Sequence, residues 1–561
     1  MKNLKIILLL TVSMGMFASC KKFDKMLIDP STPAPETANV DLYLNSAQLS
    51  IANFYANQST TPGLNENGNE LMRMEYAGSR TYKDLYGATS FDGAWRSAYQ
   101  GVFKSVNALI PIAQNSNRHL HIGMARVLKA YVAATLVDFF GDVPYTEANL
   151  GSENTNPIAD PGKRVYDSVF ALLDSAIASF NRVTSGTPIP TNDLFYAGST
   201  TATTKAASWR RAAKTLKLKL YNQIRLVDNT VQSKINALIT DGEIITTDAQ
   251  AFVFKYGSKN LNPDSRHPEF GTYYTGTGAN DYLGNDFMYI VFAEKGVGLD
   301  PRWRYYFYRQ VSTVSTISPS ILECLSSPPP SHYSPTVPFC YANANGFYGR
   351  DHGNDRGIPP DNFLRAVWGV YPVGGKFDNS DATAVKSSDG GQGQGILPLW
   401  QPAFTDFVKA EAALTIGATG DPRALLTSAV NKSIVTVLAF PATIGVTVPS
   451  TRVPTAAAIQ AYVDKVLQLY DAAATNADKL DVVMKEYYIA LWGNGIEAYN
   501  NYRRTGMPRN LQPNLNPTPG PFLRSMFYPA VYAERNSNVI QKTATNVKVF
   551  WDNNPDNIYV N

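Results

Sequence analysis

The sequence predicts a mostly α-helical protein in which antiparallel helix pairs form a scaffold for a large loop-rich subregion. Three observations lead there. Apolar residues recur at three- and four-residue intervals through two blocks, roughly 40–240 and 400–505. The turns between periodic segments are short, which favours antiparallel neighbours. The stretch of roughly 250–400 is instead rich in Gly, Pro, Asn, Asp and Tyr. In order, the first block gives helices over Val40–Tyr55, Phe91–Ala113, Ile122–Phe140, Val165–Phe180 and Ala206–Val227. Leu128, Tyr131, Val132, Thr135, Leu136 and Phe139 exemplify the stripe. Asp41 and Asp92 stand where N-caps are expected, and Gly141 with Pro144 stops the third helix. The middle offers a strand at Ala251–Tyr256 and a helix around Phe287–Glu294. At about 150 residues (Phe252–Leu399) it is too long for one structureless loop, so it reads as an irregular subregion packed on the scaffold. The second block gives Pro402–Thr415, Pro422–Val437, Ala456–Ala477 and Leu480–Tyr502. Such pairs suggest tetratricopeptide-like stacking. No strict period of ~34 residues is visible, so the repeat is degenerate.

Composition bounds the function. The 561 residues are 44% hydrophobic and 17% charged, with net charge +4, which excludes a disordered or collagenous chain. No Lys/Arg-rich run stands apart from the surrounding acids, so a phosphate-tracking patch for nucleic acid is not expected. Three Cys and five His are too few for a multi-cysteine zinc module.

Residues 1–19 place Lys2 and Lys5 before an apolar run from Ile6 to Val12 and then small residues, the layout of an export signal. Cys20 follows Ala18 and Ser19, as in a bacterial lipoprotein signal whose cysteine thiol is acylated and becomes the new N-terminus. The expected mature body is 20–561, tethered by lipid. After Cys20, two cysteines remain. Cys324 and Cys340 flank a proline-rich segment, and in an oxidising compartment they form either a loop-closing disulfide or two free thiols. The disulfide would contribute about 3 kcal/mol in the chain-entropy model.

Catalytic signatures are scarce. There is no Gly-x-Ser-x-Gly elbow and no His-Glu-x-x-His helix. Gly369–Phe377 resembles a phosphate loop but inserts a Gly before Lys376 and ends in Phe where Ser or Thr would hold magnesium. No cofactor is implied. Gly349–Gly357 carries Asp351, Asn354 and Asp355, a weak calcium candidate whose spacing does not match an EF-hand; a turn with Asp and Asn bonding to backbone is the simpler reading. Paired carboxylates of a glycan hydrolase leave no linear signature, so a lipid-anchored hydrolase stays as the alternative function.

Tyr and Trp in loop-like context suit sugar rings or peptide side chains at a wet surface. The candidates are Tyr76, Tyr82, Tyr86, Tyr273, Tyr274 and Trp368, with Arg73 and Arg80 as donors beside them. Trp95, Trp209 and Trp492 fall inside periodic helices and read as core.

Several segments in order carry a resemblance. Ala125-Arg126-Val-Leu-Lys-Ala-Tyr runs into Phe140-Gly141-Asp142-Val143-Pro144-Tyr145, followed by Val165-Tyr166-Asp167 with Leu173-Asp174-Ser-Ala-Ile177. Lys409-Ala410-Glu411-Ala412 comes next, then Lys485-Glu486-Tyr-Tyr-Ile-Ala-Leu-Trp492 and Glu497-Ala-Tyr-Asn-Asn-Tyr502-Arg503-Arg504-Thr-Gly506. Together they resemble the SusD/RagB family of outer-membrane nutrient-binding lipoproteins, across essentially the whole mature chain. The loop at Gly349 and Gly369–Asp378 resemble a SusD-like subgroup of it. The resemblance implies four degenerate tetratricopeptide-type helix pairs carrying a ligand face, and no enzymatic activity. It further implies capture of oligosaccharides or peptides for a SusC-like TonB-dependent transporter. The matched motifs belong to the scaffold, so no ligand residue carries over. Lys21-Lys22-Phe23-Asp24 lacks the acidic run that often accompanies surface display, which leaves the orientation open.

Overall fold

A computed structural model describes residues 39–561 apart from 57–62, 80, 277, 313–321, 342–345, 357–363, 370–376 and 379–382. The signal segment, Cys20 and Arg80 therefore lie outside the described residues, as does most of Gly369–Phe377.

The two helical blocks are present. The longer helices of the first are α1 (Val40–Tyr55), α2 (Leu64–Leu71), α3 (Lys104–Asn115), α4 (His119–Phe140), α5 (Gly162–Phe180), α6 (Ala202–Gln223) and α7 (Val231–Asp241). Short helices α8 (Pro268–Tyr273) and α9 (Asn285–Phe292) punctuate the middle. The second block holds α10 (Pro402–Ile416), α11 (Pro422–Thr443), α12 (Ala456–Ala472), α13 (Asn476–Ala490) and α14 (Gly495–Thr505). Sequence neighbours pack together: α4 on α5, α5 on α6, α10 on α11 and α12 on α13. The blocks meet where α6 touches α10 and α2 touches α14. At that last contact Gly68 and Gly495 face each other so closely that a Cβ on Gly68 would stand 2.3 Å from the Gly495 carbonyl oxygen. Alanine at either position would force the helices apart.

Helix α4 is long and apolar enough to cross a membrane, but 89% of its most apolar window is buried, so it is the central core helix. Gly141, at φ +77°, ends it as expected. The two expected caps are corrected. Asn39 caps α1 by accepting from the Asp41 backbone N–H at 2.9 Å. The Asp41 carboxylate turns away to His121 Nε2 (3.0 Å) and Thr191 (3.0 Å). Asp92 accepts from the Val531 N–H at 3.1 Å, and the helix it opens runs to Asn115 through a stretch of wider, π-type turns at Ser97–Phe103.

The expected helix over Leu480–Tyr502 is two helices. Gly493 has φ +86°, and the Asn494 side chain accepts from the Glu497 N–H at 3.1 Å, so one helix stops and the next is capped within four residues.

The middle subregion is clasped at its base. Strand β1 (Phe252–Tyr256) pairs antiparallel with β4 (Gly395–Trp400), and β2 (Phe307–Tyr308) pairs with β3 (Val367–Trp368). The β1–β4 pair thereby brings the two ends of the subregion together. Trp368, carried on β3, lies with its ring centroid 3.6 Å from that of Trp492, which follows α13. The subregion thus shares its core with the second block.

Buried charges in and beside the motif segments hold the scaffold. Glu411 on α10 accepts two bonds from Arg504 on α14, both 2.7 Å, and Arg225 lies 2.9 Å from the same carboxylate. Asp138 on α4 accepts from Asn500 (3.0 Å) and from the Trp551 indole (2.8 Å). Glu486 on α13 receives Tyr462 and Lys295, with Arg302 at 3.3 Å. Of these motif charges Glu411 and Arg504 are spent on each other, and Glu486 on Lys295 and Arg302.

Candidate functional site

Part of the middle subregion is braced by a crosslink. Cys324 and Cys340 form a disulfide with Cα atoms 5.6 Å apart. The arm they enclose carries Pro328, Pro329 and Pro330, which stiffen the backbone by fixing φ. His332 Nε2 lies 2.9 Å from the Asn514 carbonyl, and the Tyr333 hydroxyl donates to that of Pro513 at 2.9 Å, pinning the arm to the C-terminal segment. Beneath the disulfide, Asp351 is wholly buried. Its carboxylate accepts from the Cys340 N–H (3.1 Å), Gln512 Nε2 (2.6 Å) and Asn285 Nδ2 (3.3 Å). Burial pushes its pKa up, and these three donors work the other way.

Above this hub a cavity of about 370 Å³ opens between Pro328, His332, Phe339, Asn354, Arg356 and Leu515. A second hollow of about 260 Å³ continues from it past Arg356 and Leu515 to Asp355 and Asn516. The lining offers one aromatic face, one imidazole, one guanidinium and two side-chain amides, Asn354 and Asn516, among prolines, serines and Leu515. Such a mixture suits a polyhydroxylated ligand: rings pack on apolar surface while hydroxyls exchange hydrogen bonds with polar tips.

The structure buries six of the eight residues expected at a wet surface. Arg73 donates from Nε to the Gln512 carbonyl (2.9 Å) and from Nη2 to that of Val560 (3.1 Å). The Tyr82 hydroxyl meets His352 Nε2 at 3.1 Å. Tyr86 is wholly buried, Tyr273 reaches Glu75 at 3.4 Å, and Tyr274 donates to the Trp368 carbonyl. The Trp368 indole donates to Glu75 at 3.0 Å. These are core residues because their segments fold under the loop face. Tyr76 is half-buried, edge-on to Tyr282 and beneath the Arg350 guanidinium, and its hydroxyl donates to the carbonyl of Asn354 in the cavity wall. The calcium candidate is also corrected. Asp351 and Asn354 are buried and committed to protein donors, with Asn354 Oδ1 accepting from the Arg356 N–H at 3.0 Å, while Asp355 is exposed. His332, Phe339 and Leu515 went unnoticed in the sequence; the cysteine pair and its proline run were the signal.

A strongly acidic patch lies behind Tyr76. Glu66 and Glu70 share one face of α2, and Glu75 follows where the chain leaves that helix. Glu75 bridges to Leu283, and the Tyr76 N–H donates to the Tyr282 carbonyl (3.1 Å), which brings in Asp281. Tyr273, at the end of α8, brings in Glu269. Burial and then repulsion from Asp281 push Glu66 up to about 7; Asp281 also stands at about 7, raised by burial. Glu70, Glu75 and Glu269 are raised well above the ordinary carboxylate range by burial first and their acidic neighbours second.

This patch has a stability consequence. The folded state holds the Glu66 proton more tightly than the unfolded chain, whose carboxyl titrates near 4.5. Stability is therefore fully present below that value and falls as pH rises toward about 7. Glu66→Gln should stabilise the protein by about 1–2 kcal/mol at a pH above 7 and by nothing measurable near pH 4, as read by urea denaturation at the two pH values.

A helical scaffold carrying a disulfide-braced cavity of mixed polar and apolar lining has the architecture of a ligand-binding protein. The comparisons give the particular kind. Residues 32–313 match a SusD-like family model described as starch-binding and associating with the outer membrane. Residues 377–554 match a second, described as SusD and RagB outer-membrane lipoprotein. The chain belongs to the SusD/RagB family of outer-membrane nutrient-binding proteins. Its fold is similar to a SusD/RagB family protein of Bacteroides thetaiotaomicron (18% identity, TM-score 0.65, 92% of this chain and 100% of that one). It is also similar to a SusD homologue of Bacteroides fragilis (15%, 0.64, 92% and 99%). A chitin-binding SusD homologue of Flavobacterium johnsoniae shares the fold as well (18%, 0.59, 91% and 99%). Among curated protein sequences nothing matches.

Proposed function

We propose that this chain is the nutrient-capturing subunit of an outer-membrane importer, holding an oligosaccharide on the disulfide-braced face and passing it to a SusC-like TonB-dependent barrel. The observation that carries the reading is the cavity under the Cys324–Cys340 arm, where Phe339, His332 and Arg356 line an open hollow on a scaffold of this family. The starch-binding description of the family model favours a glycan over a peptide. Cleavage before Cys20 and acylation of its thiol would tether the body to the membrane, facing the cell exterior. No catalytic step is assigned to the chain.

Calorimetry of the mature protein against a panel of oligosaccharides tests this. Saturable binding is expected, with the ligand recovered unchanged. The double variant Phe339→Ala/Arg356→Ala should weaken it at least about tenfold while the thermal midpoint holds. Cleaved product would instead support a lipid-anchored glycan hydrolase. With the barrel co-expressed, mild-detergent purification should bring the two proteins down together; a chain recovered alone would contradict the import role.

A further inference from the structure

A separate hollow of about 470 Å³, sharing no lining residue with the arm cavity, lies on the helix pair α12–α13. Helix α13 presents Asp478, Asp481, Val482 and Lys485 to it, three or four residues apart and so on one face. Helix α12 adds Lys465 and Leu469 at the same spacing. Glu294 and Lys295, just past α9, and Arg509 and Asn510, just past α14, complete the wall. The volume falls within the roughly 300–1,000 Å³ of ordinary small-molecule sites.

The hydrogen-bonding capacity left over on this lining decides what it can hold. Two of its three acids are engaged. Glu294 accepts from Lys485 (2.7 Å) and Asn510 (3.2 Å), and Asp478 accepts from Arg509 Nη1 (2.7 Å) and the Thr475 hydroxyl (2.7 Å). The cations are not used up. Arg509 spends one of its five guanidinium N–H groups on that bond, and the Lys465 ammonium, with three, donates to Gln468 at 3.2 Å. Lys295, its side chain 7% exposed, pairs with Glu486 at 2.9 Å and holds a further positive charge at the back of the wall. Asp481 takes the Arg509 backbone N–H on one oxygen (3.0 Å), which leaves the other to accept. Leu469, 37% exposed, and the half-buried Val482 supply apolar surface.

These remainders match a sugar acid. Its carboxylate can take charge-assisted bonds from Lys465 and Arg509, a ring hydroxyl can donate to Asp481, and the C–H face of the ring can cover Leu469 and Val482. A bare phosphate would use the cations but neither the acceptor at Asp481 nor the apolar wall. We propose that this cavity is a binding site for hexuronic acid residues, so that the chain takes acidic glycans. The inference rests on the nutrient-binding reading and names a substrate class for it. Asn510 stands five residues before Leu515 of the arm cavity, at most about 18 Å along the chain.

The test titrates trimers of galacturonic acid and their methyl esters, uncharged but equal in length and linkage, into the mature protein at neutral pH and low salt. The acid should bind at least about tenfold tighter than the ester, and added salt should narrow the gap. Lys465→Ala/Arg509→Ala should abolish the advantage while the thermal midpoint holds. The Arg509–Asp478 pair it breaks is open to solvent, with side chains 45% and 39% exposed, and the backbone bond to Asp481 is kept. Phe339→Ala/Arg356→Ala should weaken both trimers and leave the advantage intact. Equal affinity for acid and ester, an advantage that outlives the Lys465 and Arg509 changes, or one that disappears with Phe339 and Arg356 overturns the site. Inorganic phosphate that displaces the acid trimer at equal concentration overturns it as a sugar site. If the ester still binds through Phe339 and Arg356 and the acid gains nothing, the nutrient-binding reading stands while this site falls.

Discussion

Glu411→Ala should destabilise the protein by about 3–5 kcal/mol, because it leaves the Arg504 and Arg225 guanidinium groups buried without their shared carboxylate. Both arginines are nearly inaccessible, so water cannot replace the lost acceptor. The contact also ties α14 to α10, and with it the second block to itself. Guanidinium chloride denaturation is the measurement, with Asp471→Asn as control. Asp471 pairs with Arg423 in the open, and its loss should leave the midpoint where it was. A pH signature accompanies the effect. The two arginines hold the Glu411 pKa below its ordinary 4.5 against the opposing pull of burial. Its contribution is present above that value and lost as pH falls through the lower folded-state pKa. Wild type should therefore lose stability on acidification more steeply than the variant.

Replacing Cys324 and Cys340 together by serine should cost about 3 kcal/mol by returning loop-closure entropy to the unfolded chain. The effect on binding should be larger than that figure suggests. His332 and Phe339 lie on the arm the disulfide holds, and the Cys340 N–H is one of three donors to Asp351 beneath the cavity. Freed from the crosslink, the arm must be ordered again each time ligand arrives, so affinity for the glycan should drop at least about tenfold. Denaturation and calorimetry on the same preparation separate the two losses. An affinity that survives in the folded double-serine protein would place the ligand elsewhere.

The scaffold was legible because a helix that buries one face must repeat its apolar residues every three or four positions. Where the pattern failed, the reason is local. Leu480–Tyr502 reads as one helix since apolar residues continue through Leu491 and Trp492, and only the backbone of Gly493 breaks it. Helix α7 escaped notice because it buries just Val231 and Ile235. Asn39 and Asp41 are both good caps, and the choice between them was decided by His121, eighty residues away. The site was harder. Tyr82, Tyr273 and Trp368 have polar tips that find buried partners, so a loop-like setting in sequence did not mean exposure in space. Conversely, Phe339 and Leu515 become neighbours only through the crosslinked arm and the C-terminal segment, a long-range contact with no linear trace.

The most direct test of the account is a crystal of the mature protein soaked with the oligosaccharide that binds best in solution. The account predicts sugar density on the disulfide-braced face, with a ring against Phe339 and hydroxyls within hydrogen-bond reach of His332 and Arg356. Density on any other face, with this cavity holding only solvent, would contradict it.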